Sequence, residues 1–163
     1  MKRGLKILVA ILRIYFLHIF AVLAVWLGMY YPGLDIILAI LYLILLWEEG
    51  KHSAQVLRDH KKQGLVAVLW QLPGFFLGAS VLLGLDRLTD FAYYFVFILE
   101  LWHTPVLPLV SLIPAWTIID KPIYYYCLFL MVPVLAILYY LPVRKKVNPL
   151  ATLTSKTDLT VMM

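Results

Sequence analysis

Charged residues are scarce in this 163-residue chain, at 14% of the total, whereas 64% of its residues are hydrophobic. Soluble globular domains typically contain about 25% charged and roughly 45–50% apolar residues. The shortage of charge excludes an ordinary soluble domain, because the apolar residues occur in long runs that lipid accepts and water penalises. We therefore expect an all-α, polytopic integral membrane protein.

Cysteine is nearly absent, since Cys127 is the only one in the sequence. A single cysteine excludes an intrachain disulfide, a Cys-x-x-Cys redox pair and a zinc site made of thiolates. Its neighbours Tyr126 and Leu128 favour a buried, unreactive thiol.

The few charged residues have a positive excess, with 14 Lys and Arg against 9 Asp and Glu. The cations lie at the ends of apolar runs, where they indicate membrane topology rather than nucleic-acid binding. Aromatic residues, 15% of the chain, also cluster at these ends, as in the interfacial belts of membrane proteins. The expected surroundings are therefore a lipid bilayer.

Four long apolar runs predict four full membrane spans. They cover about residues 5–28, 34–47, 65–85 and 122–142. The second run is only about 21 Å long as a helix, against a hydrocarbon core of roughly 30 Å, so its helix must use flanking residues or thin the bilayer. Lys2, Arg3 and Lys6 resemble the start of a secretory signal, but the run is too long and no Ala-x-Ala site follows. We expect a retained helix with its amino end in the cytoplasm.

A strongly polar connector, residues 48–64, contains Lys51, Arg58, Lys61 and Lys62. The positive-inside rule places this connector in the cytoplasm. These features predict a multi-pass protein of the cell membrane, and its size suggests a bacterial plasma membrane. Residues 1–147 then form one membrane domain, followed by a flexible polar tail at 148–163.

Residues 91–119 contain Pro105, Pro108 and Pro114, which argue against an unbroken helix. If this stretch were a full span, the last span would place the basic residues 144–146 outside, against the positive-inside rule. A broken re-entrant hairpin avoids both conflicts, provided that protein or a wet cavity covers its irregular backbone. We favour four full spans plus this hairpin, with five plain spans as the alternative.

Four ionisable residues lie inside the predicted membrane segments: Arg13, His18, Glu100 and His103. Such residues cost roughly 2.5–3.5 kcal/mol on insertion scales, so a partner or a function usually explains them. The helical rise gives all four residues depths of about 9–17 Å from the cytoplasmic edge. We hypothesise that Glu100 is neutralised by His18 or Arg13. A structural role is favoured over proton or substrate handling.

Two Glu-x-x-His patterns, Glu49 with His52 and Glu100 with His103, have the spacing found in di-metal helical bundles. The match is weak, because such sites need two further carboxylates that the first and third spans lack. Haem ligation by His18 and His103 is supported by depth alone. We therefore predict no metal and no cofactor. The weak metal candidates are Glu49, His52, Glu100 and His103.

The third span contains small and amide residues at helical spacing: Ala67, Gln71, Gly74 and Gly78. The pair Gly74 and Gly78 forms a Gly-xxx-Gly pattern, which permits close approach of two helices. This seam can pack within the chain or against another subunit, and Pro73 predicts a kink beside it.

For function we favour a non-enzymatic accessory or assembly subunit of a membrane complex, with a membrane-protein partner or a second copy of the chain. The chain is small and offers no sizeable domain outside the membrane. One alternative is a small transporter or channel component that uses Glu100 and His103. A second is an intramembrane metal or haem enzyme that uses the same residues.

Overall fold

The computed structural model describes residues 2–85, 92–114, 116–118 and 121–142, and most of these residues are helical. In chain order the described helices are α1 (Lys2–Gly28), α2 (Leu34–Leu57), α3 (His60–Leu82), α4 (Ala92–His103), α5 (Leu107–Val110) and α6 (Ile123–Tyr140). Between α5 and α6, the two-residue strands β1 (Thr117–Ile118) and β2 (Lys121–Pro122) pair antiparallel, with Thr117 opposite Pro122. The prediction of a helical architecture is confirmed, with this short ribbon as an addition.

Three of the described helices are long and apolar enough to cross a membrane. They are Gly4–Gly28 with a mean hydropathy of 2.4, His60–Leu82 with 1.8 and Ile123–Tyr140 with 1.9. Helix α2 has 24 residues and is not among these three. Its second half contains the charged residues Glu48, Glu49 and Lys51. These lengths and compositions support a membrane protein.

Helices α1 and α2 form an antiparallel pair. They are joined through a turn in which Gly33 has a φ of 83°, a left-handed conformation that suits glycine. Gly28 lies so close to α2 that a Cβ there would be 2.7 Å from Leu38 Cδ1. Toward the other end of the pair, Arg13 of α1 contacts Glu49 of α2. We call the end with the Gly33 turn the second end of the bundle, and the opposite one the first end.

The polar connector is more helical than its composition predicts. Helix α2 continues to Leu57 and α3 begins at His60, so only Arg58 and Asp59 interrupt the helices. Arg58 has a φ of 52°, and its N–H donates to the Ala54 carbonyl, which ends α2. Asp59 caps α3 by accepting the Lys61 N–H at 3.0 Å. A hydrogen bond from Lys62 holds the pKa of Asp59 below its usual value.

The stretch that contains Pro105, Pro108 and Pro114 is not one continuous helix. Helix α4 ends at His103, and a turn over residues 104–106 leads into the single turn α5. Thr104 Oγ1 donates to the Glu100 carbonyl at 3.1 Å, which satisfies one carbonyl near the end of α4. From the ribbon, Lys121 Nζ donates to the Val81 carbonyl near the end of α3. The chain therefore descends along α4 from the second end and returns to that end before α6 begins.

Two clusters of buried side chains form the core. The larger cluster joins α1, α2, α3 and α6, with Ile14, Tyr42, Trp70 and Tyr139 among its most buried members. The smaller cluster lies toward the second end and comprises Val81, Leu99, Val110 and Leu128. Helix α4, the turn after it and α5 thus pack against the longer helices, with Leu99, Val106 and Val110 in these clusters.

Candidate functional site

His18 lies at the centre of the bundle, with only 2% of its surface exposed. Its Nε2 is 3.0 Å from the Trp102 carbonyl oxygen, and its Nδ1 is 2.9 Å from the Tyr42 hydroxyl. Because a carbonyl oxygen only accepts, Nε2 is the nitrogen that donates, and in a neutral ring Nδ1 accepts from Tyr42. His18 therefore links α1, α2 and α4.

Helix α4 ends at His103, and this end creates the carbonyl group to which His18 donates. The last carbonyls of a helix have no partner within that helix, and an unpaired carbonyl in an apolar interior is costly. The Trp102 carbonyl is one of these groups, and His18 supplies its donor. The Trp102 ring also lies 4.4 Å from the His18 ring, centroid to centroid.

Arg13 and Glu49 form an ion pair between α1 and α2. Arg13 Nη2 is 2.7 Å from Glu49 Oε2, and the Glu49 side chain is only 11% exposed. Ser53 Oγ donates to the other carboxylate oxygen at 3.1 Å. The structure thus gives Arg13 the partner Glu49 rather than the hypothesised Glu100. This follows because α2 continues through Glu49, a residue that the sequence assigns to the polar connector.

Glu100 lies apart from this pair, on α4. Its side chain lines a crevice of about 440 Å³ beside α1 and a second crevice of about 320 Å³ between the hairpin and the start of α6. Within the described ranges, no hydrogen bond or ion pair to its carboxylate is found. His18, the other hypothesised partner, uses both of its nitrogens elsewhere.

His103 is 1% exposed and faces α3. Its Nδ1 donates to the Leu99 carbonyl at 2.9 Å, and its Nε2 is buried without a partner among the described residues. A Cβ on Gly74 would be 3.4 Å from His103 Cε1. The Glu100 side chain lines the two crevices, and no hydrogen bond joins it to His103. A proton relay through these two residues would need such a contact.

The glycine seam is covered by helices of the same chain. Ala67, Gln71, Gly74 and Gly78 are all buried. A Cβ on Gly74 would be 2.7 Å from Trp102 Nε1 of α4, and one on Gly78 would be 2.9 Å from Phe129 Cδ2 of α6. The seam is therefore occupied from within, and it is not a free surface for another subunit.

No protein-family model, curated protein or solved structure matches the chain.

The weak metal candidates are not brought together. Glu49 is bound to Arg13 and Ser53, and His52 is exposed on α2. In the part of the chain that the structure describes, no three His, Cys, Asp or Glu residues are grouped as a metal site would require. A haem ligand role for His18 conflicts with this geometry, because neither of its ring nitrogens is free.

Sequence reasoning missed several residues that hold the bundle together. Gln63 is 1% exposed, and its amide nitrogen donates to the carbonyls of Gly50, at 3.1 Å, and Tyr139, at 3.0 Å. Gly50 itself lies directly against the Tyr139 carbonyl. An isolated glycine within a helical pattern is the signal that could have indicated this close approach.

Proposed function

We propose that the chain is a non-enzymatic accessory or assembly subunit of a membrane complex. The supporting observation is that the buried His18 uses both ring nitrogens to join three helices. Arg13 and Glu49 likewise join two helices. Their contacts stabilise the bundle, and a reacting centre needs such groups to be accessible to a substrate.

We further propose that four helices cross the membrane, namely α1, α2, α3 and α6, while α4 and α5 form a re-entrant hairpin. The return of Lys121 to the Val81 carbonyl supports this arrangement. In this proposal the first end faces the cytoplasm of the cell, because Lys51, Arg58 and Lys62 lie there.

The partner is proposed to be another membrane protein or a second copy of this chain. Since the glycine seam is filled, a partner must use the outward-facing residues. Helix α1 offers large apolar side chains for this contact, with Phe16 75% and Phe20 59% exposed. In a bilayer, van der Waals packing between helices is one of the forces that drive association.

The test is affinity purification from native membranes in a mild detergent, with stoichiometry measured by mass spectrometry. We expect a near-equimolar membrane protein, or a dimer of the chain. The double variant Phe16→Ala and Phe20→Ala should reduce this association, while Phe76→Ala, at the 63% exposed position on α3, should preserve it. A chain that purifies alone and monomeric would contradict the proposal.

A further inference from the structure

Glu100 is a carboxylate whose charge has no counterpart among the described residues. The three ion pairs in the described ranges use Arg13, Lys51 and Lys62, and each of these cations is bonded to another acid. Removing an ionised carboxylate from water without a cation is strongly unfavourable. A cation bound beside Glu100 would stabilise the ionised form of this carboxylate.

The shape around Glu100 indicates which cation fits. The crevice beside α1 is lined by the aromatic side chains of Trp26 and Phe97 and by aliphatic residues such as Leu23. Aromatic faces attract organic ammonium groups, and apolar walls accept a hydrocarbon chain. Metal ions such as Ca²⁺ need six to eight oxygen ligands, and a single carboxylate does not provide them.

Glu100 also lines the second crevice. It is lined by Ser111, Tyr124 and Tyr125, together with Pro114 and Pro122 of the hairpin return. A ligand in the first crevice would therefore meet the carboxylate at a point where polar side chains begin. An apolar crevice with a carboxylate at its edge is complementary to an amphiphile that has a hydrocarbon chain and a cationic head group.

We infer that Glu100 binds the ammonium group of a lipophilic amine whose hydrocarbon chain lies in the crevice between α1 and α4. The inference goes beyond the proposed subunit role and does not depend on it. A partner-bound subunit and a lone protein would both contain this site.

The experiment measures binding of octylammonium to the full chain in uncharged maltoside micelles, by calorimetric titration with empty micelles as the blank. We expect saturable binding to one site. Glu100→Gln should weaken it about tenfold or more, the usual effect of losing one charged hydrogen-bond partner. Asp35→Asn is the matched control, because it removes the same charge at the second end without touching either crevice, and it should change affinity less than about twofold.

A comparison on the unaltered chain keeps the test independent of how the variants fold. Octanol has the same chain without the charge, and octanoate has the opposite charge. We expect octylammonium to bind at least about tenfold more tightly than either compound. Equal binding of all three, an equal loss in the Asp35 and Glu100 variants, or no saturable octylammonium binding would overturn the inference.

Discussion

At the scale of single residues, buried polar side chains in this bundle form hydrogen bonds that join one helix to another. His18 and Tyr42 are both almost fully buried, and their hydrogen bond joins α1 to α2. Burial makes such a bond expensive to break, because the group left behind cannot turn to water.

The substitution Tyr42→Phe tests this bond, since it removes one hydroxyl and keeps the ring. We expect a loss of about 1–3 kcal/mol of unfolding free energy, because Nδ1 of His18 would lose its donor. Thermal unfolding in detergent measures the change, with Tyr30→Phe, at a position 73% exposed, as the control. Equal stability of the two variants would show that the bond contributes little.

At the scale of helices, close backbone contact depends on glycines that the sequence does not mark equally. Gly74 and Gly78 form a recognisable pattern, and both lie at helix contacts. Gly50 stands between a glutamate and a lysine, in a segment that reads as solvated, yet it allows α2 to touch the Tyr139 carbonyl of α6.

We predict that Gly50→Ala destabilises the protein by about 1–3 kcal/mol, because the added methyl group would push α2 and α6 apart. The matched control is Gly4→Ala in α1, where a Cβ would meet nothing within 4 Å. That control should be neutral or slightly stabilising, since alanine favours helix. Detergent unfolding of both variants provides the comparison, and a Gly50 variant as stable as the control would refute the close contact.

The sequence predicts helices and their interruptions better than it predicts partners across the bundle. Prolines lack a backbone donor, and this local rule predicts an interruption within residues 91–119, where α4 ends at His103. The pairing of Arg13 with Glu49 depends instead on the register of two antiparallel helices. The sequence does not show that register, because the polar residues 48–64 favour a connector, whereas α2 continues through them to Leu57.

At the scale of the whole molecule, the hairpin decides on which side of the membrane the ribbon lies. Trp116 follows the hairpin, is 67% exposed and precedes β1. With a re-entrant hairpin it lies on the same side as Tyr31 of the α1–α2 turn. With five plain spans it lies on the opposite side, together with Lys62.

Cysteine labelling in intact cells separates these arrangements. In a Cys127→Ala background, we predict that Trp116→Cys and Tyr31→Cys react with a membrane-impermeant maleimide, whereas Lys62→Cys reacts only after the membrane is permeabilised. Each mutated side chain is at least partly exposed, so accessibility reports the side of the membrane. Protection of Trp116→Cys together with labelling of Tyr31→Cys would favour five spans.

The bond between His18 and the Trp102 carbonyl also imposes an order on biosynthesis. The two residues are 84 positions apart, so α1 is synthesised long before its acceptor exists. At roughly 5–20 residues per second, the nascent imidazole waits about 4–17 seconds for that carbonyl. During this interval the insertion machinery, or water at its lateral opening, must accommodate a polar group that the finished protein hides completely.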